Sequence, residues 1–111
     1  MARPVWRVRT RQTFDELRRS GRRVRTGPVT VTFAVGGPTE PPKVAYAVGR
    51  RVGRAVQRNR LRRRLRAVVA DLAPTMRPGA YLIGAAPQAA ALSFEELKAA
   101  VSRALQAVTE Q

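Results

Sequence analysis

Between residues 50 and 66 the chain carries nine arginines and no acidic residue, most densely in Arg58-Asn59-Arg60-Leu61-Arg62-Arg63-Arg64-Leu65-Arg66. The chemistry open to such a segment is ionic rather than covalent. Guanidinium groups stay protonated and present a planar fork of donors that matches phosphate oxygens, so clustered arginines bind polyanions. Nine like charges so close together repel one another unless phosphates neutralise them, and the seven acids of the whole chain are too few to do so. Nucleic acid is the expected partner.

Covalent catalysis is poorly provided for. The sequence has no cysteine and no histidine, which removes disulfides, thiolate metal sites, imidazole ligands and the usual general base. The carboxylates Asp15, Glu16, Glu40, Asp71, Glu95, Glu96 and Glu110 are scattered, and the adjacent pairs are explained by helix starts. A nuclease holding its own metal is therefore disfavoured, and no cofactor is expected on the protein itself.

The net charge of +15 is concentrated in the first part: residues 1–66 hold 19 basic and 3 acidic side chains, residues 67–111 only 3 and 4. Of the 22 basic residues only Lys43 and Lys98 are lysine, and arginine suits bidentate phosphate contacts. A chain of 111 residues fits one domain, 1–111, with 1–12 a basic N-terminal segment that is free to be flexible. There is no run of about 18 apolar residues and no apolar signal core at the N-terminus, so a cytoplasmic location is expected.

The elements that must position the arginines follow from periodicity. Thr13-Phe14-Asp15-Glu16 reads as a capping box for a short helix over 13–20 stopped by Gly21. Val29, Val31, Phe33 and Val35 alternate with small residues over 28–35, the pattern of a half-buried strand, and 22–26 is a weaker strand around Val24. The stretch 36–42, rich in glycine and proline, is a loop expected to join antiparallel neighbours. Strand 43–49 follows, with Val44, Tyr46 and Val48 on one face and Ala45, Ala47 and Gly49 on the other. Tyr81-Leu82-Ile83 reads as a central strand. Ser93 to Glu96 caps a last helix with Phe94, Leu97, Val101, Leu105 and Val108 on one stripe.

At about 100° per residue from Leu61, the side chains of Leu65, Val68, Val69 and Leu72 cluster in one direction. Asn59, Arg62, Arg63 and Arg66 fall between about 100° and 200°, with Arg58 and Arg60 flanking them. The segment is thus predicted to be a helix over about 54–70 with a buried stripe and an outward donor patch. Asn59 can add a base or sugar contact to phosphate contacts made by the arginines. Gly53 allows a tight turn between strand and helix.

The run Lys43-Val44-Ala45-Tyr46-Ala47-Val48-Gly49-Arg50-Arg51-Val52-Gly53-Arg54-Ala55-Val56-Gln57-Arg58-Asn59-Arg60-Leu61-Arg62-Arg63-Arg64-Leu65-Arg66 strongly resembles the signature of the bacterial ribonuclease P protein subunit. That signature is a strand ending in two basic residues, a glycine turn, and an Arg-Asn-Arg helix with further basic residues. The flanks agree in order: a basic N-terminal segment, a short helix carrying Phe14, alternating strands and a final helix.

The resemblance implies an α+β fold in the order α-β-β-β-α-β-α, with a small, mostly antiparallel four-stranded sheet. It also implies a left-handed β-α-β crossover, as in the second domain of ribosomal protein S5, against the general preference for right-handed ones. In function it implies a non-catalytic protein cofactor of an endoribonuclease holoenzyme, and repulsion between cationic faces separately predicts a monomer in isolation. The RNA subunit, with Mg2+ at its own active site, is the catalyst that removes the 5′ leader of precursor tRNA. Carried onto this chain, Arg50, Arg51, Arg54, Arg58, Asn59, Arg60, Arg62, Arg63 and Arg66 would contact the catalytic RNA. Phe14 would line a leader cleft between the first helix and the sheet, with Arg7, Arg9 and Arg11 supplying nearby charge.

The chain departs from the family pattern at Arg18 and Thr32, where the family often has aromatics facing the leader, and at Gly49, where serine is usual. Base stacking is worth about 1 to 3 kcal/mol per base in single-strand binders, so the leader cleft is expected to rely more on charge here. Phe14 can serve the core or the leader, Tyr46 reads as a core residue, and Trp6 is either a hydrophobic anchor or a stacking residue. Two other classes fit the composition. A ribosomal protein would share the charge but not the strand, glycine turn and Arg-Asn-Arg order, and a DNA-binding regulator would need a partner helix where a strand is predicted.

Overall fold

β-branched residues alternating with threonine and alanine build the centre of a five-stranded sheet, seen in a computed structural model that describes residues 5–37 and 40–110. The elements are β1 (Trp6–Arg7), α1 (Arg11–Ser20), β2 (Arg22–Thr26), β3 (Val29–Val35), β4 (Lys43–Val48), α2 (Ala55–Leu72), β5 (Gly79–Ala85) and α3 (Phe94–Thr109). Strand order is β1-β4-β5-β3-β2. The α+β class and the order from α1 onward match the expectation.

Two features of the sheet do not. A fifth strand, β1, pairs in parallel with β4, Trp6 opposite Lys43 and Arg7 opposite Val44. Antiparallel pairing is still the larger share by residues, with β3-β5 and β2-β3 antiparallel and β1-β4 and β4-β5 parallel. The loop after β3 does not join neighbours either, because β5 lies between β3 and β4 and pairs with both. Pro38 and Thr39 of that loop lie outside the described residues.

The N-terminal segment is tied down from residue 5 onward. Trp6 N–H donates to the Pro42 carbonyl at 2.8 Å, Val8 N–H donates to the Val44 carbonyl at 3.3 Å, and Val8 is buried. Residues 1–4 lie outside the described residues. Helix α1 starts earlier than its Thr13 box predicts, since the capping oxygen is that of Thr10, which accepts from Thr13 N–H at 3.2 Å. Two threonines three residues apart offer competing caps, and the upstream one extends the helix by most of a turn.

The two faces of the sheet carry different loads. Val29, Val31 and Phe33 of β3, Val44 and Val48 of β4, and Tyr81 and Ile83 of β5 are buried in one cluster with the stripes of α2 and α3. Phe33 and Tyr81 sit opposite each other in register with ring centroids 4.8 Å apart, and the Tyr81 hydroxyl donates to the Arg77 carbonyl at 2.7 Å. On the opposite face lies α1, whose Leu17 is buried outside that cluster, and whose C-terminal Gly21 lies against Thr32.

Helix α2 is held chiefly by its apolar stripe. Leu61, Leu65, Val68 and Val69 are buried and Leu72 is half-buried. At about 1.5–3 kcal/mol for each fully buried aliphatic side chain, these residues outweigh the modest like-charge repulsion between exposed arginines one turn apart. Helix α3 begins with the expected box, Ser93 Oγ accepting from Glu96 N–H at 3.1 Å and the Glu96 carboxylate accepting from Ser93 N–H at 2.9 Å. The Ser93 backbone N–H, aided by the Ser93 hydroxyl, holds the Glu96 carboxyl below the usual carboxylate range.

Candidate nucleic-acid interface

The turn that aims the arginine helix is built on one glycine. After β4 a single 3-10 turn, Arg50–Val52, closes with Gly53 N–H donating to the Arg50 carbonyl at 3.1 Å. Gly53 has φ 146°, and a Cβ there would collide with the Gln57 side-chain oxygen. That oxygen accepts from Arg54 N–H at 2.5 Å and satisfies one of the orphan donors of the helix start. Chain reversal, glycine and first-turn glutamine thus form one unit that turns the exposed Arg50, Arg51 and Arg54 to the same end of the molecule as the first turns of α2.

Along α2 the helical-angle sorting is realised in space: Asn59, Arg62, Arg63 and Arg66 line one shallow depression. Arg62 is its fixed member. Its guanidinium donates to Asn59 Oδ1 at 2.9 Å and to the Val48 carbonyl at 3.3 Å, linking the helix face to the end of β4. One lone pair of the Asn59 oxygen is engaged by Arg62, and with three arginines and an exposed amide the depression is lined mostly by donor groups. Arg60, Arg63 and Arg66 are exposed and Arg58 is half-buried. Among the described residues Arg58 Nε is the one buried side-chain nitrogen or oxygen without a hydrogen-bond partner. Arg64, on the inner edge of the helix, instead donates to the Leu92 carbonyl.

No carboxylate dilutes this face. The ion pairs among the described residues are Asp15 with Arg18, Glu40 with Lys43, and Asp71 with Lys98, none of them to an α2 arginine. No three Asp or Glu side chains gather to hold a metal ion among those residues.

The residues assigned to the leader are not gathered in one place. Phe14 is half-buried on α1, and Arg11 is exposed at its first position. Arg7 and Arg9 share a depression with Trp6, Thr10, Thr13 and Lys43 where β1 leads into α1. By register Arg7 shares the face of Val44, the α2 side of the sheet, rather than the α1 side. The part of the sheet that α1 leaves uncovered is a hollow of about 340 Å3 floored by Thr30, Thr32, Ala47, Leu82 and Gly84, with Arg23 on the edge strand beside it. Sequence reasoning missed Arg23 and Leu82 there. The available signal was strand alternation, which places both on the same face as Thr32.

Fold and site together define a small basic α+β protein with a strongly cationic helix face. Residues 3–109 match the family model described as Ribonuclease P. The chain is 38% identical over 117 residues to the ribonuclease P protein component of Thermobifida fusca (strain YX), an alignment covering 98% of this chain and 80% of that one. The ribonuclease P protein of Staphylococcus aureus superposes with a TM-score of 0.83 at 15% identity, covering 94% of this chain and 95% of that one. The Thermotoga maritima protein gives 0.81 at 18%, covering 92% and 96%. The chain belongs to the ribonuclease P protein family. Membership makes it a component of an endoribonuclease holoenzyme of tRNA processing and a partner of the ribonuclease P RNA. Among the described residues no helix is long and apolar enough to cross a membrane.

Proposed function

We propose that the chain is the non-catalytic protein cofactor of its holoenzyme, that its α2 face binds the catalytic RNA, and that it promotes endonucleolytic removal of the 5′ leader of precursor tRNA. The observation that carries this reading is the depression of Asn59, Arg62, Arg63 and Arg66, a surface of donors with no acid paired to it. Such a surface neutralises several phosphates at once and has no group able to act as nucleophile or general base. Arg50, Arg51, Arg54, Arg58 and Arg60 extend it toward the Gly53 turn. The chemistry then belongs to the RNA, with Mg2+ at the RNA active site, and the protein screens repulsion between two polyanions.

For the leader, the α1 side of the sheet supports a contact in which Phe14 offers the aromatic surface and Arg23 stands beside an open floor. Arg7, Arg9 and Arg11 would contribute long-range attraction where the strand approaches α1. The cationic faces repel each other, which supports a monomer in isolation, acting in the cytoplasm.

The deciding experiment is cleavage of precursor tRNA by the RNA subunit from the same organism at low magnesium, with and without the protein. Stimulation is expected only in combination with that RNA, and omission of the protein should raise the salt and magnesium requirement. Equal cleavage with and without the protein at low magnesium would refute the cofactor role.

A further inference from the structure

Residues 18–25 read Arg-Arg-Ser-Gly-Arg-Arg-Val-Arg, five arginines in eight residues with no acid. They fall at the end of α1 and along β2, an edge strand whose one neighbour is β3. Strand alternation sorts the arginines of β2 by face. Val24 lies opposite Val31, whose side chain is in the core, and is half-buried. Arg23 and Arg25 lie opposite Thr32 and Thr30, so they project on the other face, that of the open hollow floored by those threonines. Both arginines are exposed, and neither belongs to an ion pair among the described residues. Arg25 is also anchored, its Nε donating to the Gly27 carbonyl at 3.1 Å across the β2-β3 turn.

None of the residues lining the hollow is aromatic, so a nucleic-acid strand lying in it finds hydroxyls, small side chains and Leu82 rather than stacking surfaces. Grip must come from charge, and in the hollow that charge stands on the β2 side. Helix α2 packs against β4, whereas α3 packs against β2 and β3, which puts the two arginines at the edge of the sheet away from α2. A strand coming from the α2 side therefore crosses the floor before it meets them. Two residues along a strand span about 6.8 Å, comparable with the separation of neighbouring phosphates in an extended single strand.

We propose that Arg23 and Arg25 are determinants of leader length: they hold two neighbouring phosphates of the 5′ leader where it leaves the hollow over the β2 edge, so that binding favours leaders long enough to reach that edge. The inference rests on the leader reading of the α1 side of the sheet and adds to it how far the bound strand extends and which residues hold its outer end.

The test measures the affinity of the holoenzyme for mature tRNA and for precursor tRNAs whose leaders lengthen one nucleotide at a time, across a salt series. The proteins are the wild type, the double variant Arg23→Ala with Arg25→Ala, and the double variant Arg23→Lys with Arg25→Lys. Wild-type affinity should climb with leader length and then level off. The alanine pair should level off at a shorter leader and match the wild type on mature tRNA and the shortest leaders. On the longest leaders it should bind roughly tenfold less tightly, with the slope of log K against log salt reduced by about 1.4, the loss of two single-strand phosphate contacts. The lysine pair should keep most of the slope, because the charge persists.

An alanine pair that binds like the wild type at every leader length would overturn the inference, and aggregation as its sole effect would assign the arginines to guarding an exposed sheet edge. Equal weakening at every length, mature tRNA included, would overturn it by giving the edge to the RNA subunit or to the tRNA body. A lysine pair as weak as the alanine pair, with urea stability lowered in both, would overturn it by tracing the loss to the hairpin. If wild-type affinity does not depend on leader length at all, the leader reading of this face itself falls.

Discussion

The Arg62 guanidinium bonds Asn59 and at the same time the last carbonyl of β4, 2.9 Å from Asn59 Oδ1 and 3.3 Å from the Val48 oxygen. One side chain therefore fixes the orientation of its neighbour in the donor patch and locks the patch to the sheet. Arg63, one residue on, is exposed and forms no such bond among the described residues. The two arginines look alike in sequence and do different things in space.

Their substitution should separate the two roles. Arg63→Ala is expected to lower the slope of log K against log salt for the RNA subunit by about one unit, the loss of one phosphate contact, with stability changed by less than about 0.5 kcal/mol. Arg62→Ala should lower the slope similarly and also cost about 0.5–1.5 kcal/mol in urea unfolding, because the Val48 carbonyl loses a partner. Equal stability of the two variants would show that the link to β4 carries no weight.

The Gly53 turn gives a second prediction. At φ 146° an alanine is strained whatever the space around it, and here its Cβ also meets the Gln57 side chain. Gly53→Ala should destabilise by more than about 1 kcal/mol in urea unfolding and weaken RNA binding by displacing the start of α2. In a double-mutant cycle with Gln57→Ala the clash part should disappear while the backbone strain persists, leaving a coupling of about 0.5 kcal/mol or more. A purely additive cycle would show that the collision is relieved without cost.

How much of this was legible in the sequence depends on distance along the chain. The donor patch of α2 was legible because helical angle is a local property, and the buried stripe from Leu61 to Val69 is where the period places it. The Ser93 box was legible for the same reason. Strand β1 was not, since two residues, Trp6 and Arg7, set among charges carry no alternation and are strand only because β4 offers an edge. The insertion of β5 between β3 and β4 is likewise a non-local pairing that a glycine and proline loop cannot report. That missing edge also hid a cavity of about 480 Å3 beside β1, whose walls come from residues near 6, 46 and 66.

Tyr46 provides a titration probe of the same region. Burial pushes its phenol up to about 12, with Arg66 pulling in the opposite direction. The folded state therefore keeps the proton at a pH where the unfolded chain, with an ordinary phenol near 10, has lost it. The stability this contributes is complete below about pH 10 and is lost as pH rises through 12. Wild-type protein should thus lose stability more steeply between pH 10 and 12 than Tyr46→Phe, measured by urea midpoints. Parallel curves for the two proteins would show that the phenol titrates as if exposed.

The largest consequence of the charge concerns the free protein. Nineteen basic against three acidic residues in 1–66 make the folded chain a dense cation whose self-repulsion is relieved by any anion that binds the native arginine face better than the unfolded chain. Linkage then requires stability to rise with anion concentration as RT ln(1 + [L]/Kd), about 2.7 kcal/mol at a hundredfold excess over Kd. Multivalent phosphate or pyrophosphate should therefore raise the unfolding midpoint well above that in sodium chloride of equal ionic strength. The excess should shrink in a variant carrying Arg62→Ala, Arg63→Ala and Arg66→Ala together, because those three guanidiniums line one depression and can hold one anion jointly. If phosphate and chloride act equally at matched ionic strength, the stabilisation is screening alone and the depression is not an anion site.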